Sequence, residues 1–510
     1  MSLFSPPVSG YLVALAAILS PFVWRIVYNL YFHPLSHFPG PKLAACSRLW
    51  LAYRELIKGE SLSDLRAQLH RQYGEIIRWA PNELHFSNPA AYNDIYNNKN
   101  KWDKDHSLYR AYDLDTSTFG LTHYSDAKQR RDVLAPFFSR TSIVQLQDLI
   151  QERVGRSPTD EVAVHFLINA SGEHKSSDLV LGFHCFAVDI IMNLCYAKNW
   201  DATKVPDFRS DIVLASQAVL PIFTMNKYSG PLLKMMRYIP MRLGKKYGTP
   251  VTKALFLLRE TLMHQVYGVL RNPSSLENAS YKTIYHSLLG RDAKGRRSLS
   301  KVNLWHEAGA LLGGGSDTIA TASTTISYYV LHNPEVQQRL VNELRTAWPV
   351  LEEVPRYEVL EKLHLLQTAV VKEGVRMFPE GASLPRVVPP EGATITGTFI
   401  PGGAIVGQSY VHVNFSPAVF PDPHAFIPDR WLGEDAKAHE AALATFSKGP
   451  RGCVGINLAY CELQLVIAAV FRRFDVTLDA KRSGNLTTVE HFVPVFKGPH
   501  LRAYCKSVSD

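Results

Sequence analysis

The sequence predicts a mainly α protein with a small β region and an N-terminal membrane anchor helix. Three observations lead there: an apolar run from Tyr11 to Phe32, a long middle section with apolar residues at helical spacing, and short strand signals gathered in the last third.

The anchor comes first. Tyr11 to Phe32 is interrupted only by Ser20, Pro21, Arg25 and Asn29, and a bilayer span needs about 20 mostly apolar residues. No Lys or Arg precedes the run, which disfavours a cleaved signal peptide. Arg25, Lys42 and Arg48 follow it, so the positive-inside rule leaves the bulk of the chain in the cytosol. Next, His33 to Pro41 holds three prolines and a glycine, a stiff hinge without regular structure. The 510 residues show no repeat and no low-complexity linker, so the division is 1–32 anchor, 33–41 hinge and 42–510 a single catalytic unit.

Helices are expected over Asn303–Leu331 and Asn333–Trp348, and a hairpin over Ala393–Val406 with its turn at Pro401-Gly402-Gly403. From Asn414 to Arg430 four prolines forbid helix and sheet, and irregular stretches of that length are usually functional. Leu232–Pro240 mixes apolar and basic residues in a way that suits dipping into a membrane interface.

Lys and Arg number 55 against 46 Asp and Glu, a net charge of +9 that suits an anionic membrane or an acidic partner protein. The charge is scattered, with no basic tract interleaved with aromatics, so no nucleic-acid partner is expected. The six cysteines form no CxxC pair and no secreted-type framework. Cys453 and Cys461 are too far apart for a zinc knuckle.

The richest stretch is Phe446-Ser447-Lys448-Gly449-Pro450-Arg451-Gly452-Cys453-Val454-Gly455, followed by apolar residues at helical spacing. Three glycines and a proline make a tight loop that lets backbone approach a flat ligand, with Cys453 just before a helix N-terminus. The helix dipole and nearby Arg451 are expected to favour a thiolate there, the form that binds iron.

With Phe446, Gly449, Arg451, Cys453 and Gly455 all in place, the sequence resembles the cytochrome P450 family. The resemblance implies the cytochrome P450 fold and haem b, with iron held by Cys453. It also extends to distant sites. Glu373 and Arg376, spaced three apart on a helix, join Arg430 in a triad that locks the core behind the Cys loop. Ala308 to Thr318 carries Gly313, Gly314 and Gly315 mid-helix, at a cost of about 1 kcal/mol each. A phosphate loop fails because no Gly-Lys-Ser/Thr follows. In the family the acid–alcohol pair, here Asp317 and Thr318, lies above the iron, the alcohol hydrogen-bonding dioxygen (O2) and the acid relaying protons. Arg130, Arg386 and Arg451 match the family's partners of the haem carboxylates. Asp126 stands where Trp or His is usual, with Lys128 and His123 as the nearby cations that could take over.

The resemblance implies a monooxygenase that oxidises an apolar small molecule with O2 and electrons from NADPH. They would come through an NADPH–cytochrome reductase, with cytochrome b5 as a further donor, at the endoplasmic reticulum membrane. The hinge and the Asp-Val-Leu-Ala-Pro-Phe-Phe-Ser stretch from Asp132 resemble fungal enzymes of secondary metabolism, pointing to a terpenoid or polyketide. Rival readings are a haem-thiolate isomerase, dehydratase or peroxygenase working without a reductase, and a fatty-acid or xenobiotic hydroxylase. The pocket walls are expected from Tyr109–Phe119, Leu311 and Leu312, Ala382–Leu384 and Phe492–Phe496.

Overall fold

A computed structural model describes residues 8–154, 175–229, 239–277, 279–290, 299–379 and 381–508. Most of Leu232–Pro240, proposed above to meet the membrane, lies outside the described residues. The chain folds as two units, Met1–Ile95 with Ser383–Ser409, and Tyr96–Ala382 with Tyr410–Asp510.

In the first unit, α1 (Val8–Val27) leaves Leu12, Val13, Ile18, Phe22 and Trp24 mostly exposed. An apolar surface of this kind needs a non-aqueous partner, and its length and position fit a membrane anchor. The helix runs on through a wider turn, Tyr28–Phe32, where the unit begins to grip it. Asn29 Nδ2 donates to the Cys46 carbonyl (3.1 Å), and Arg78 Nη1 donates to the Asn29 carbonyl (2.8 Å).

The segment after it has no helix or strand, as expected, but it is packed rather than free. Leu35 and Phe38 are buried, and Arg78 N–H donates to the Pro39 carbonyl at 2.7 Å. Gly40 is required at φ +156°: a Cβ there would lie 2.2 Å from the Arg78 carbonyl oxygen.

After α2 (Leu62–Tyr73), β1 (Ile76–Ala80) and β2 (Glu83–Phe86) pair antiparallel. The returning segment adds β3 (Arg386–Val387), β4 (Ala393–Ile395), β5 (Thr398–Ile400) and β6 (Ile405–Gly407). Strand β6 runs parallel to β2, with Val406 beside Leu84, and antiparallel to β3. The expected hairpin is therefore shifted. Its turn is Thr396-Gly397, both with positive φ (47° and 77°), and β4 pairs with β5. Two consecutive left-handed residues match the twist of a tight hairpin, which Pro401-Gly402-Gly403 does not.

The second unit is built on α3 (Tyr124–Leu134), α4 (Leu179–Tyr196), α5 (Asp211–Ser229), α6 (Pro250–Arg271), α7 (Lys301–Leu331), α8 (Pro334–Ala347), α9 (Lys372–Arg376) and α10 (Ile456–Arg473). Every residue of α4 is buried, as befits a helix apolar all round, and it packs along α7. It is long and apolar enough to span a membrane, yet it is core. Helix α7 starts at the Ser300 cap, whose hydroxyl accepts from Asn303 N–H, and also packs against α6 and α10. Strands β7 (Phe474–Leu478), β8 (Thr488–His491), β9 (Val493–Phe496) and β10 (Arg502–Ser507) form two small sheets, β7 with β10 and β8 with β9.

Candidate active site

The Cys453 loop closes on itself. Cys453 N–H donates to the Phe446 carbonyl (2.8 Å), and Gly452 N–H to the Gly449 carbonyl (3.0 Å). Gly449 has φ +73° with its α-carbon against the backbone of Asn97, where a Cβ would lie 2.7 Å from the carbonyl oxygen. Phe446 packs its ring on Tyr460 of α10 (5.3 Å). Gly455 caps α10, and a Cβ added there would rest against the Phe138 ring at 3.9 Å, an ordinary van der Waals contact.

Cys453 is exposed to a solvent-sized probe while surrounded by protein, so its sulfur faces space inside the fold. Burial raises its thiol pKa, and the Gly455 N–H and the Arg131 guanidinium pull it back only in part. The expectation for Arg451 is corrected here. Its guanidinium turns to the carbonyls of Leu121 (3.0 Å) and Thr122 (2.7 Å), and the cation acting on the sulfur is its counterpart from α3, Arg131, which also donates to the Gly452 carbonyl (2.6 Å). Two cationic side chains close to the loop cannot be ranked by sequence spacing.

Arg130, also on α3, is buried in an ion pair with Glu307 of α7 (2.7 Å) and donates to the Thr116 carbonyl (3.1 Å). Glu307 is a partner that sequence reasoning missed. Arg386 lies in the first unit, its guanidinium donating to the carbonyls of Leu384 (2.9 Å) and Pro385 (3.2 Å). The two side chains suggested beside Asp126 are already held by carboxylates, His123 by Asp103 (2.9 Å) and Lys128 by Asp132 (2.5 Å).

The triad forms. Arg376 grips Glu373 through Nε and Nη2 (2.9 and 2.8 Å), and Arg430 Nε reaches the same carboxylate at 3.1 Å. Trp431 Nε1 and Ile427 N–H fill its remaining sites (2.9 and 3.0 Å), both from the proline-rich stretch.

A cavity of about 290 Å³ opens beside α7. Gly313, Gly314, Asp317 and Thr318 line it, and a Cβ at Gly313 or Gly314 would meet nothing within 4 Å. Gly315 differs, since its Cβ would fall 2.7 Å from Ile191 of α4. Thr318 hydroxyl donates to the Gly314 carbonyl (2.8 Å), and buried Asp317 sits 3.5 Å from His184 Nε2 of α4.

The opposite wall is aromatic. Tyr112 stacks on Phe223 at 4.3 Å, with Phe119 and Phe492 edge-on. Phe492 holds φ +78°, a strained backbone that aims its ring into this cluster. Burial, then the charge of Asp317, raises the Tyr112 pKa. Arg110–Leu114, Phe119, Leu312, Phe492 and Val493 line the cavity as expected, whereas Tyr109, Asp115–Thr118, Leu311, Ala382 and Pro494–Phe496 do not, Leu311 being core. Unforeseen walls come from α5 and α6, and from Trp305.

The residues fit a haem. A lone soft sulfur faces inner space with an N–H donor behind it, the glycines allow close backbone approach in the loop, and a thiol held protonated by burial is ionised by a metal itself. Such a loop, set at the start of a core helix in a mainly helical protein, suits a thiolate-bound haem.

The comparisons place it further. The family model for cytochrome P450 matches residues 39–496, and the chain belongs to that family. It is similar to the cytochrome P450 monooxygenase flvC of Aspergillus flavus (33% identical, 97% of this chain and 96% of that one). It is also similar to the cytochrome P450 monooxygenase macH of Penicillium terrestre (31%, 97% of each) and to the tryptophan 6-hydroxylase fscE of Fusarium equiseti (31%, 96% and 95%). The protein is a P450 monooxygenase, and its family implies haem-thiolate iron, dioxygen, a redox partner and a small-molecule substrate.

Proposed function

We propose that this monooxygenase serves fungal secondary metabolism, oxidising an apolar terpenoid or polyketide, and that it is held at the endoplasmic reticulum by α1 with its catalytic part in the cytosol. Electrons come from NADPH through an NADPH–cytochrome reductase, with cytochrome b5 as a second donor. Overall, substrate, dioxygen, NADPH and a proton become hydroxylated product, water and NADP+. The aromatic lining of the cavity supports an apolar substrate, and the fungal relatives support the pathway class.

When bound, haem supplies the activation of dioxygen and the attack on an unactivated C–H bond. Cys453 would hold the haem iron through its sulfur, which the Gly455 N–H steadies. Arg130 and Arg451 would hold the haem carboxylates, and Glu307 fixes the first of them. Asp317 and Thr318 deliver protons. To do so Thr318 exchanges its bond to the Gly314 carbonyl for one directed into the cavity, where the glycines leave room.

The observation that carries the reading is the acid–alcohol pair lining the same cavity as the aromatic wall. Reduced protein with carbon monoxide should give the thiolate-type spectrum, and Cys453→Ala should lose it. Thr318→Ala should keep that spectrum while the ratio of product to NADPH falls about tenfold and hydrogen peroxide rises. An unchanged ratio would favour a reductase-independent haem-thiolate enzyme.

A further inference from the structure

The cavity carries two hydrogen-bond donors that no described residue answers. Arg259 of α6 and Trp305 of α7 both line it, and the Arg259 guanidinium lies over the Trp305 ring, 5.2 Å from its centroid. Arg259 Nε and Trp305 Nε1 are each buried, and among the described residues neither has an acceptor. Arg259 also makes no ion pair there.

The position is an inward one. Leu255, Arg259 and Leu262, at helical spacing on α6, all face the cavity, so a guanidinium interrupts an otherwise apolar stripe. Buried donors without acceptors cost free energy, most of all beside a charge, and a bound anion removes that cost. The other charged groups of the lining do not supply it. Asp317 faces His184, Arg110 is a second cation, and Asp113 makes no ion pair with Arg259.

We infer that the substrate is an apolar acid whose carboxylate is received by Arg259 and Trp305, far from the carbon that is oxidised. Resting on the reading of this cavity as the substrate site, the inference adds the acid and its orientation. A carboxylate accepts from both N–H groups at once, and the pair with Arg is charge-assisted. Orientation follows from α7. Trp305 precedes Thr318 by thirteen residues of one uninterrupted helix, about 20 Å at 1.5 Å per residue. Allowing for the reach of the side chains, acid and oxidised carbon are separated by on the order of 10–15 Å, and the Tyr112–Phe223 stack flanks the apolar body.

Dehydroabietic acid, a tricyclic diterpene acid, and its uncharged isosteric primary amide make the probe pair. Binding to the full-length haem-loaded protein in detergent is followed by calorimetry at pH 7.5, where the acid is ionised. The acid should bind at least tenfold tighter than the amide. Arg259→Gln, at a half-buried site, should remove that preference. Trp305→Phe, which keeps the ring and loses the N–H, should reduce it about threefold. Equal binding of acid and amide, no binding of either, or a preference that survives Arg259→Gln would overturn the inference. The measurement needs no turnover, so a protein that prefers the acid but oxidises nothing would sink the monooxygenase role and leave the acid site standing.

Discussion

Arg376 holds Glu373 by two parallel hydrogen bonds, 2.9 and 2.8 Å long, with neither side chain reached by solvent. The same guanidinium donates to the carbonyls of Asn414 (2.8 Å), Pro423 (2.7 Å) and Ala425 (3.2 Å). The prolines do not bar helix throughout, since Pro428, at the first position, opens a single 3-10 turn to Trp431, but from Phe415 to Ile427 the chain joins no helix or strand and takes its shape from one side chain of α9, because its carbonyls have no ladder to join.

Glu373→Gln leaves two buried cations without their counter-charge and should cost about 3–5 kcal/mol. Chemical denaturation of the haem-loaded protein measures it, and a loss under 1 kcal/mol would mean that the carbonyls alone hold Arg376.

The glycines of α7 separate by what surrounds them. Gly315→Ala drives a Cβ into Ile191 and should destabilise by about 1–2 kcal/mol after the helix-propensity gain. Gly314→Ala meets nothing and should stabilise by up to about 1 kcal/mol while narrowing the cavity. Melting temperatures of the two variants should move in opposite directions, and a common direction would refute this division.

Glu462 of α10 is buried, Oε2 has no partner among the described residues, and burial raises its pKa well above the ordinary value. The folded chain therefore binds its proton more tightly than the unfolded one, whose carboxyl titrates near about 4.3. Its contribution is fully present below that value and is lost as pH rises towards the raised folded value. Glu462→Gln should gain stability relative to the parent from pH 5 to pH 8. A difference between the two proteins that stays constant over that range would show that Glu462 is not neutral when folded.

Deleting the residues before Tyr28 should free the protein from membranes with its melting temperature unchanged. Cutting at Pro39 instead removes Asn29, Leu35 and Phe38 from their packed places and should destabilise it by several kcal/mol. Equal stability of the two truncations would mean that the packed segment is not part of the folded unit.

What was legible in the sequence is what backbone chemistry makes rare. A positive-φ glycine beside Cys453 and glycines inside α7 have few explanations, so loop and helix could be read from residues alone. Glu373 and Arg376 were legible as a pair, but Trp431 and Ile427 were not, since a carboxylate's remaining partners come from whichever chain folds past it. The walls from α5 and α6 stayed hidden for a similar reason: an amphipathic stripe shows that a helix packs, not against what. Arg259 carried a signal, a charge amid Leu255, Leu258 and Leu262, that looks at first like an ordinary break in the pattern.

The grip of Arg78 on Asn29 bears on how the protein is mounted. A tether lets its cargo turn at every angle to the bilayer, whereas a helix whose final turn is bonded to a strand carries that strand with it. Here Arg78 also holds the Pro39 carbonyl through its backbone, so two points ten residues apart are fixed to one residue of β1. With α1 as the proposed anchor, tilt of that helix would become tilt of β1, and lipid thickness, which sets helix tilt, would set the attitude of the N-terminal unit at the membrane surface.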